Sequence, residues 1–197
     1  FRAGLKRIVK AAIVRWAVRN SVGVLPCGSL GQQYFQKYGA DPNRIVFMPY
    51  EPDYELIRSL PPDAIERTRR QFRFDPARRR IVYSGRLIGI KRVDLLLRAF
   101  AEIAPQRPAW DLVLVGDGPL RAQLVASVPP ALVSRITWTG FIDGQATVSV
   151  IYRNADVLAH PADEEPWALV INEATAAGLA IVAATRAGIS VLAGAVV

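Results

Sequence analysis

Cysteine and histidine are almost missing from this chain of 197 residues, with one of each, Cys27 and His160. A single cysteine excludes an internal disulfide framework and a thiolate metal cluster, and its scarcity fits a reducing cytosol. A single histidine excludes a His-rich metal site and a second imidazole for acid–base work. No apolar run approaches the roughly 20 residues that cross a bilayer. Internal repeats and low-complexity tracts are absent as well. The chain begins with Phe1 rather than Met, so we expect an internal piece of a longer protein.

What is present is a hydrophobic content of 51% and a mean hydropathy of +0.19. That supports a sizeable core and excludes wholesale disorder. The length suits one full domain, or one domain plus part of another. Net charge is +8, carried almost entirely by arginine. Such a balance suits nucleic acid, phospholipid surfaces or phosphorylated small molecules. A nucleic-acid module wants basic residues interleaved with exposed aromatics, or a docking motif. Neither is found, so no nucleic-acid partner is expected.

Residues 1–20 place Leu5, Val9, Ala12, Ile13 and Trp16 at helical spacing, with Lys6 and Lys10 off that face. The pattern fits a basic helix on an anionic membrane surface. The spread of basic residues around the wheel favours a surface helix packed on a core. Residues 21–27 read as a short buried strand. A helix over 29–39 comes next, with Ser29 at its start and Gly39 at its end, then a strand over 44–49. Between 49 and 80 five prolines punctuate the chain. This reads as a linker with one short helix near 62–72. Seven arginines between Arg67 and Arg80 read as a solvated face, with phosphate or lipid binding as the alternative.

After Arg80 the pattern becomes regular. Strand-like cores at 81–85, 111–116, 135–140, 155–160 and 180–184 alternate with helical stretches at 93–104, 120–127, 145–154 and 167–177. Continuous Val/Ile/Leu strands alternating with helices argue for βαβ units, hence an α/β doubly wound parallel sheet. Ligands of such sheets bind beyond the carboxyl ends of the strands, so the loops there matter most. In "SGRLIGIKRVD", Gly85 allows a tight turn, and Arg86 and Lys91 put two cations beside a helix start, a natural anion site. "VLVGDGPLR" has Gly116 and Gly118 but Arg121 where a dinucleotide loop needs its third glycine. It supports a nicotinamide site only weakly, and a tight turn accounts for it as well. "TGFIDGQ" offers Gly140 and Phe141 to flank a planar base. "ADEEPWALVINEA" carries Glu165 in a loop, Pro166 at a helix start and Glu173 on the helix. Spacing alone leaves Glu173 a solvated carboxylate.

Taken in order, "SGRLIGIKRVDLLLRAF", "LVLVGDGPL", "ITWTGF", "YRNADVLAHPADEEPWALVINEATAAGLAIVA" and "AGI" resemble the donor-binding half of glycosyltransferase family 4, a group with the GT-B fold. The resemblance covers about residues 80–190, and weakly 20–50. It implies domains at 1–49 (tail of an acceptor-side Rossmann-like domain), 50–79 (linker) and 80–197 (donor domain, ending early). It implies retaining transfer of a sugar, in cytoplasmic polysaccharide or glycolipid synthesis, from a UDP- or GDP-type donor to an acceptor hydroxyl. Carried over by position, the catalytic residues are Arg86 and Lys91 on the diphosphate and Glu165 on the sugar hydroxyls. Glu173 would hold the ribose. Gly85, Gly116, Phe141, Ile142, Trp167, Ala168, Leu169 and Val170 would line the donor pocket. No Asp-x-Asp occurs, so neither metal nor cofactor is expected, protein charge neutralising the diphosphate instead.

The sequence departs from the family pattern at several points. Ala168 and Arg92 stand where glycine is usual, Ala187 replaces the first of two glycines before Ile189, and "MPYEPD" lacks a Pro-Asn-Gly turn. None removes a charged ligand group. The piece is expected to bind a nucleotide sugar without turning over alone, in the cytoplasm, with the inner membrane face as a contact for its basic N-terminal part. The alternatives are a non-catalytic nucleotide-binding domain of the same fold and a nucleotide-sugar epimerase. The epimerase would want more acid–base residues than one histidine supplies.

Overall fold

A computed structural model describes residues 2–165 and 167–184. The chain divides into two compact units, with the boundary between Tyr50 and Glu51, and each is described by itself.

In the first unit, helix α1 (Arg2–Asn20) precedes α2 (Ser29–Lys37). The less exposed face of α1 is Ala11, Val14 and Val18, not the stripe expected to pack. Leu5, Val9, Ile13 and Trp16 are exposed, Trp16 at 68%. Gly28, not Ser29, caps α2. Gly39, at φ +92°, ends it with its N–H on the Gln36 carbonyl, the left-handed stop that glycine takes without a Cβ penalty. The strands expected over 21–27 and 44–49 are not formed. Those segments share one parallel bridge, Val24 to Ile45, and Val22 is 93% exposed. Two short parallel runs with no covering layer cannot bury both faces, which is what a parallel ladder requires.

The second unit holds α3 (Tyr54–Arg58), α4 (Pro62–Gln71), β1 (Arg79–Ser84), α5 (Val93–Ile103), β2 (Trp110–Val115), α6 (Arg121–Ala126), β3 (Ile136–Gly140), α7 (Gln145–Tyr152), β4 (Val157–His160), α8 (Leu169–Ala176) and β5 (Ala180–Ala183). The five strands are all parallel, in the order β3-β2-β1-β4-β5. The doubly wound sheet read from the sequence is what the chain forms. Alternation along the strands sends Tyr83, Leu112, Leu114 and Ile136 into one core layer with Val93, Leu96, Leu97 and Phe100 of α5 and Leu124 of α6. The alternate positions Val82, Val113 and Leu158 are equally buried on the opposite face.

Residues 51–79 hold two helices rather than one, and these belong to the sheet unit. The α3 helix packs with α7 and α8, and α4 with α7. Asp53 caps α3 through Leu56 N–H and exchanges two hydrogen bonds with the Gln145 amide, while Asn154 donates to the Ile65 carbonyl. The arginine cluster is largely absorbed by the structure. Arg67, Arg69, Arg70 and Arg78 each have a carboxylate partner, and buried Arg80 lies over the Phe74 ring at 4.7 Å. That favours the structural reading of the cluster over phosphate binding.

The order of the sheet reverses between β1 and its neighbours. The chain runs outward through β2 and β3, then returns to place β4 on the other flank of β1. The loops after β1 and β4 therefore diverge and leave a crevice at the carboxyl edge. The loops after β1, β2 and β3 are bonded to one another by backbone alone: Gly85 N–H to Val115, Leu87 N–H to Asp117, Gly116 N–H to Gly140. Gly116, at φ +131°, makes this contact feasible, because a Cβ there would overlap the Gly85 carbonyl oxygen. A Cβ on Gly118 would stand 2.5 Å from the Leu87 carbonyl oxygen. The G-x-G pair thus serves loop-on-loop packing. Gly116→Ala should lower the urea-unfolding free energy by roughly 3 kcal/mol or more, from backbone strain plus overlap. Gly89→Ala, with open space around it, should change it little. A loss under about 1 kcal/mol for Gly116→Ala would show that the two loops do not touch.

Candidate active site

The crevice between the loops after β1 and β4 is bridged by charge. Lys91 Nζ, in a short 3₁₀ turn (Gly89–Lys91) after β1, pairs with Glu165 Oε2 in the loop after β4. Two further tethers run beside it: Arg92 Nη1 to Asp163 at 3.0 and 3.2 Å, and Asp163 N–H to the Ile90 carbonyl at 2.9 Å. The Lys91–Glu165 pair is well shielded from solvent, so its attraction is screened less than that of an exposed pair. Burial alone would push the Glu165 carboxyl up, but Lys91 outweighs it, with His160 helping, and the carboxyl is held below its ordinary range. The backbone N–H of Ala168 also donates to the Glu165 carboxylate.

Arg92 and Ala168, the two departures from a glycine pattern, are both left-handed, at φ 52° and 59°. A β-carbon in that region costs about 1–2 kcal/mol, which accounts for glycine at such positions. Arg92 recovers part of that cost through its pairs with Asp163 and Asp94. Ala168 has no charged side chain to pair, but its backbone N–H bonds the Glu165 carboxylate, and its turn moves the start of α8 to Leu169, two residues later than expected. Pro166 and Ala187 lie outside the described residues.

Next to the charged crevice, at the carboxyl ends of β1, β2 and β3, lies a cleft of about 170 Å³ lined by Ser84, Gly85, Arg86, Gly116, Phe141 and Ile142, among others. Five residues expected at the donor pocket converge here. Phe141 is 75% exposed, leaving its ring face open. The Arg86 carbonyl accepts from Tyr83 Oη at 3.0 Å, while its guanidinium has no ion pair among the described residues. Trp167 is 7% exposed and Ala168 also buried, whereas Leu169 and Val170 reach the surface at the mouth of α8.

Glu173 is not the solvated carboxylate that spacing suggested. It is half-buried on α8 beside Tyr152, whose fully buried hydroxyl stands next to both Glu173 and Ser84. That hydroxyl closes no hydrogen bond among the described residues. Tyr152 stands between Glu173 and Ser84 of the cleft wall. Burial raises its carboxyl above the ordinary range, with Tyr152 opposing. Sequence reasoning passed over Ser84, Tyr152 and His160. Ser84 and His160 are the last residues of their strands, a position that marks ligand-side groups once the sheet order is known.

The described residues gather no cluster of three or more metal-ligating groups, and none of their helices is long and apolar enough to cross a membrane.

These features define the class: a doubly wound α/β domain with a cationic, carboxylate-bearing crevice at its switch point. Solved structures share the fold. Anabaena HepE in complex with UDP superposes with a TM-score of 0.75 at 24% identity, over 91% of this chain and 49% of that one. WaaG, a glycosyltransferase involved in lipopolysaccharide biosynthesis, does so with a TM-score of 0.72 at 23% identity, over 86% and 46%. Residues 64–195 match the family model of glycosyl transferases group 1. The D-inositol 3-phosphate glycosyltransferase of Rhodococcus opacus (strain B4) is 35% identical over 168 residues, 81% of this chain and 36% of the relative. That of Segniliparus rotundus is 30% identical over 164 residues, 79% and 35%. The chain belongs to the glycosyl transferases group 1 family. It spans about a third of the length of the curated relatives it matches.

A carboxyl whose pKa is raised by folding is stabilising only where it is protonated. Stability is lost as pH climbs from the unfolded carboxyl value through the folded one. Glu173→Gln should therefore raise the melting temperature at pH 7, and the gain should vanish at a pH below the carboxylate range. Scanning calorimetry at the two pH values checks this, and an equal or lower melting temperature for the variant at pH 7 would contradict the burial argument.

Proposed function

We propose that this chain supplies the donor site of a retaining glycosyltransferase, which moves a sugar from a nucleoside diphosphate to an acceptor hydroxyl. The observation that carries the reading is the Lys91–Glu165 pair spanning the switch point, with Arg86 in the adjoining cleft. Arg86 offers a planar fork of donors to phosphate oxygens and Lys91 a compact charge. Phe141 and Ile142 flank the base, Glu173 accepts from the ribose, and Glu165 accepts from the sugar hydroxyls. The N–H groups at the mouth of α8, around Ala168, Leu169 and Val170, add positive potential.

In the transfer, the bond between the anomeric carbon and the phosphate oxygen breaks and the acceptor oxygen bonds to that carbon. The hydroxyl proton ends on the departing diphosphate. Negative charge grows on the leaving group, so fixed cations stabilise the transition state more than the ground state. Losing one such group commonly costs on the order of 10²–10³ in rate. No divalent metal takes part in this scheme.

Calorimetric titration of the chain with UDP, GDP and ADP in EDTA tests the reading. One of the three should bind, and Arg86→Ala and Lys91→Ala should each weaken it by about tenfold or more. No binding, or binding indifferent to both changes, sinks the donor site.

The basic first unit supports a membrane partner for the same enzyme. Residues 1–50 hold eight basic residues and one acid, Asp41, and α1 exposes Leu5, Val9, Ile13 and Trp16 with Lys6 and Lys10 alongside. Apolar residues with flanking cations suit the headgroup region of an anionic bilayer. Sedimentation should show binding to phosphatidylserine vesicles at low salt, lost in salt on the order of 0.5 M, where the screening length is short, and reduced by Trp16→Ser. Absence of binding at low salt removes this partner.

A further inference from the structure

The single histidine has no role in the scheme above, yet it stands at the crevice. His160 ends β4. Its backbone is paired with Ala183 of β5, and its carbonyl accepts from Ala184 N–H at 3.0 Å, so the sheet itself mounts the imidazole. It is 2% exposed, and neither ring nitrogen has a hydrogen-bond partner among the described residues. Buried polar groups ordinarily find a partner. A carboxylate oxygen lies close by: Glu165 Oε2 is 3.5 Å from His160 Nε2, and Lys91 Nζ holds the same oxygen.

We propose that His160 is a positioning residue of the donor site, steadying Glu165 from the sheet through its neutral Nε2–H tautomer while Lys91 holds the same carboxylate from the loop after β1. The proposal deepens the donor-site reading and rests on it only in its ligand-binding part. The charge balance favours the neutral ring. Burial works against an imidazolium most strongly, Glu165 favours it and Lys91 opposes it, and the net effect holds the imidazole pKa below its ordinary value. A neutral ring can donate to Glu165 from Nε2 and keep the unprotonated Nδ1 in the core. Tyr83, also buried, senses Glu165 as well. With a holder mounted on the sheet the carboxylate keeps one orientation when Lys91 turns its other N–H groups to phosphate. Held only from the two loops, by Lys91 and the Ala168 N–H, Glu165 would be re-aimed whenever those loops shift at a binding event.

Because the chain has one histidine, every imidazole signal in a ¹⁵N-labelled sample reports this residue. The expected result at pH 7 is the neutral Nε2–H tautomer, with a titration midpoint below that of free imidazole. Glu165→Gln should lower the midpoint further and Lys91→Met should raise it. An Nδ1–H tautomer, or one midpoint shared by wild type and both variants, overturns the proposal. No nucleotide is needed, so failure here is distinct from failure of the donor reading. In the second arm, UDP is the probe. His160→Gln, which keeps an N–H donor at a similar reach, should bind within about threefold of wild type, and His160→Leu about tenfold more weakly. Equal losses in both variants, or none in either, overturn the positioning role. Should His160→Leu fail to fold, the tautomer and His160→Gln still decide.

Discussion

A lysine from one loop and a glutamate from another meet over the point where the sheet changes direction, and the arrangement of the edge depends on that contact. Two loops that diverge from neighbouring strands are not held together by the strand ladder, because the reversal of strand order sends their connections opposite ways. Lys91–Glu165, Arg92–Asp163 and the Asp163 N–H on Ile90 supply the missing cohesion. The first of these is a shielded pair whose partners are also the groups with chemistry to offer. The outer Arg92–Asp163 pair is more exposed and adds little attraction of its own. It keeps the loops in register, and the inner pair sets the electrostatics of the crevice.

Backbone freedom is concentrated at the same edge. Gly116 and Gly118 allow the loop after β2 to lie directly on the loop after β1, and Gly85 takes φ +151° with the Tyr83 hydroxyl where a Cβ would project. Arg92 and Ala168 adopt left-handed backbone with side chains attached. These residues bend the chain sharply next to rigid parallel strands, so the strand ends stay fixed while the loops fold over them. Strain at such positions is tolerable because the core beneath is continuous, running from Phe100 of α5 through Leu112 and Leu114 to Tyr83. A surface loop without that support would relax.

Much of this is legible in the chain. All five strands of the second unit fall within two residues of their expected positions, because long Val/Ile/Leu runs bounded by Gly, Asp and Arg leave few other places to begin and end. Arg86, Phe141 and Ile142 stand out by their places just beyond the strand ends, and they share one cleft. The differences have physical causes. Ala168 carries no sequence mark of a left-handed turn, so the sequence pattern starts α8 two residues early. The 21–27 and 44–49 segments have strand-like composition, but a parallel ladder needs covering layers that short runs do not create. Ser84, Tyr152 and Glu173 are far apart in sequence, and they meet only because β4 returns to the flank of β1, which hydrophobic periodicity does not encode.

Three ionisable groups at this edge, Glu165, Glu173 and His160, sit where water cannot fully solvate them, and the fold treats each differently. Glu165 is compensated by Lys91 and stays charged at little cost. Glu173 has no ion-pair partner among the described residues, so burial pushes its carboxyl up, with the Tyr152 hydroxyl opposing. His160 is driven toward neutrality. A cluster optimised for stability alone would pair all three or replace them with apolar residues. One paired, one uncompensated and one neutral group at one edge is not that arrangement. Perturbed titratable groups gathered at a switch point make this edge a candidate site. Their burial is tolerable only because the sheet below contributes enough apolar packing to carry it.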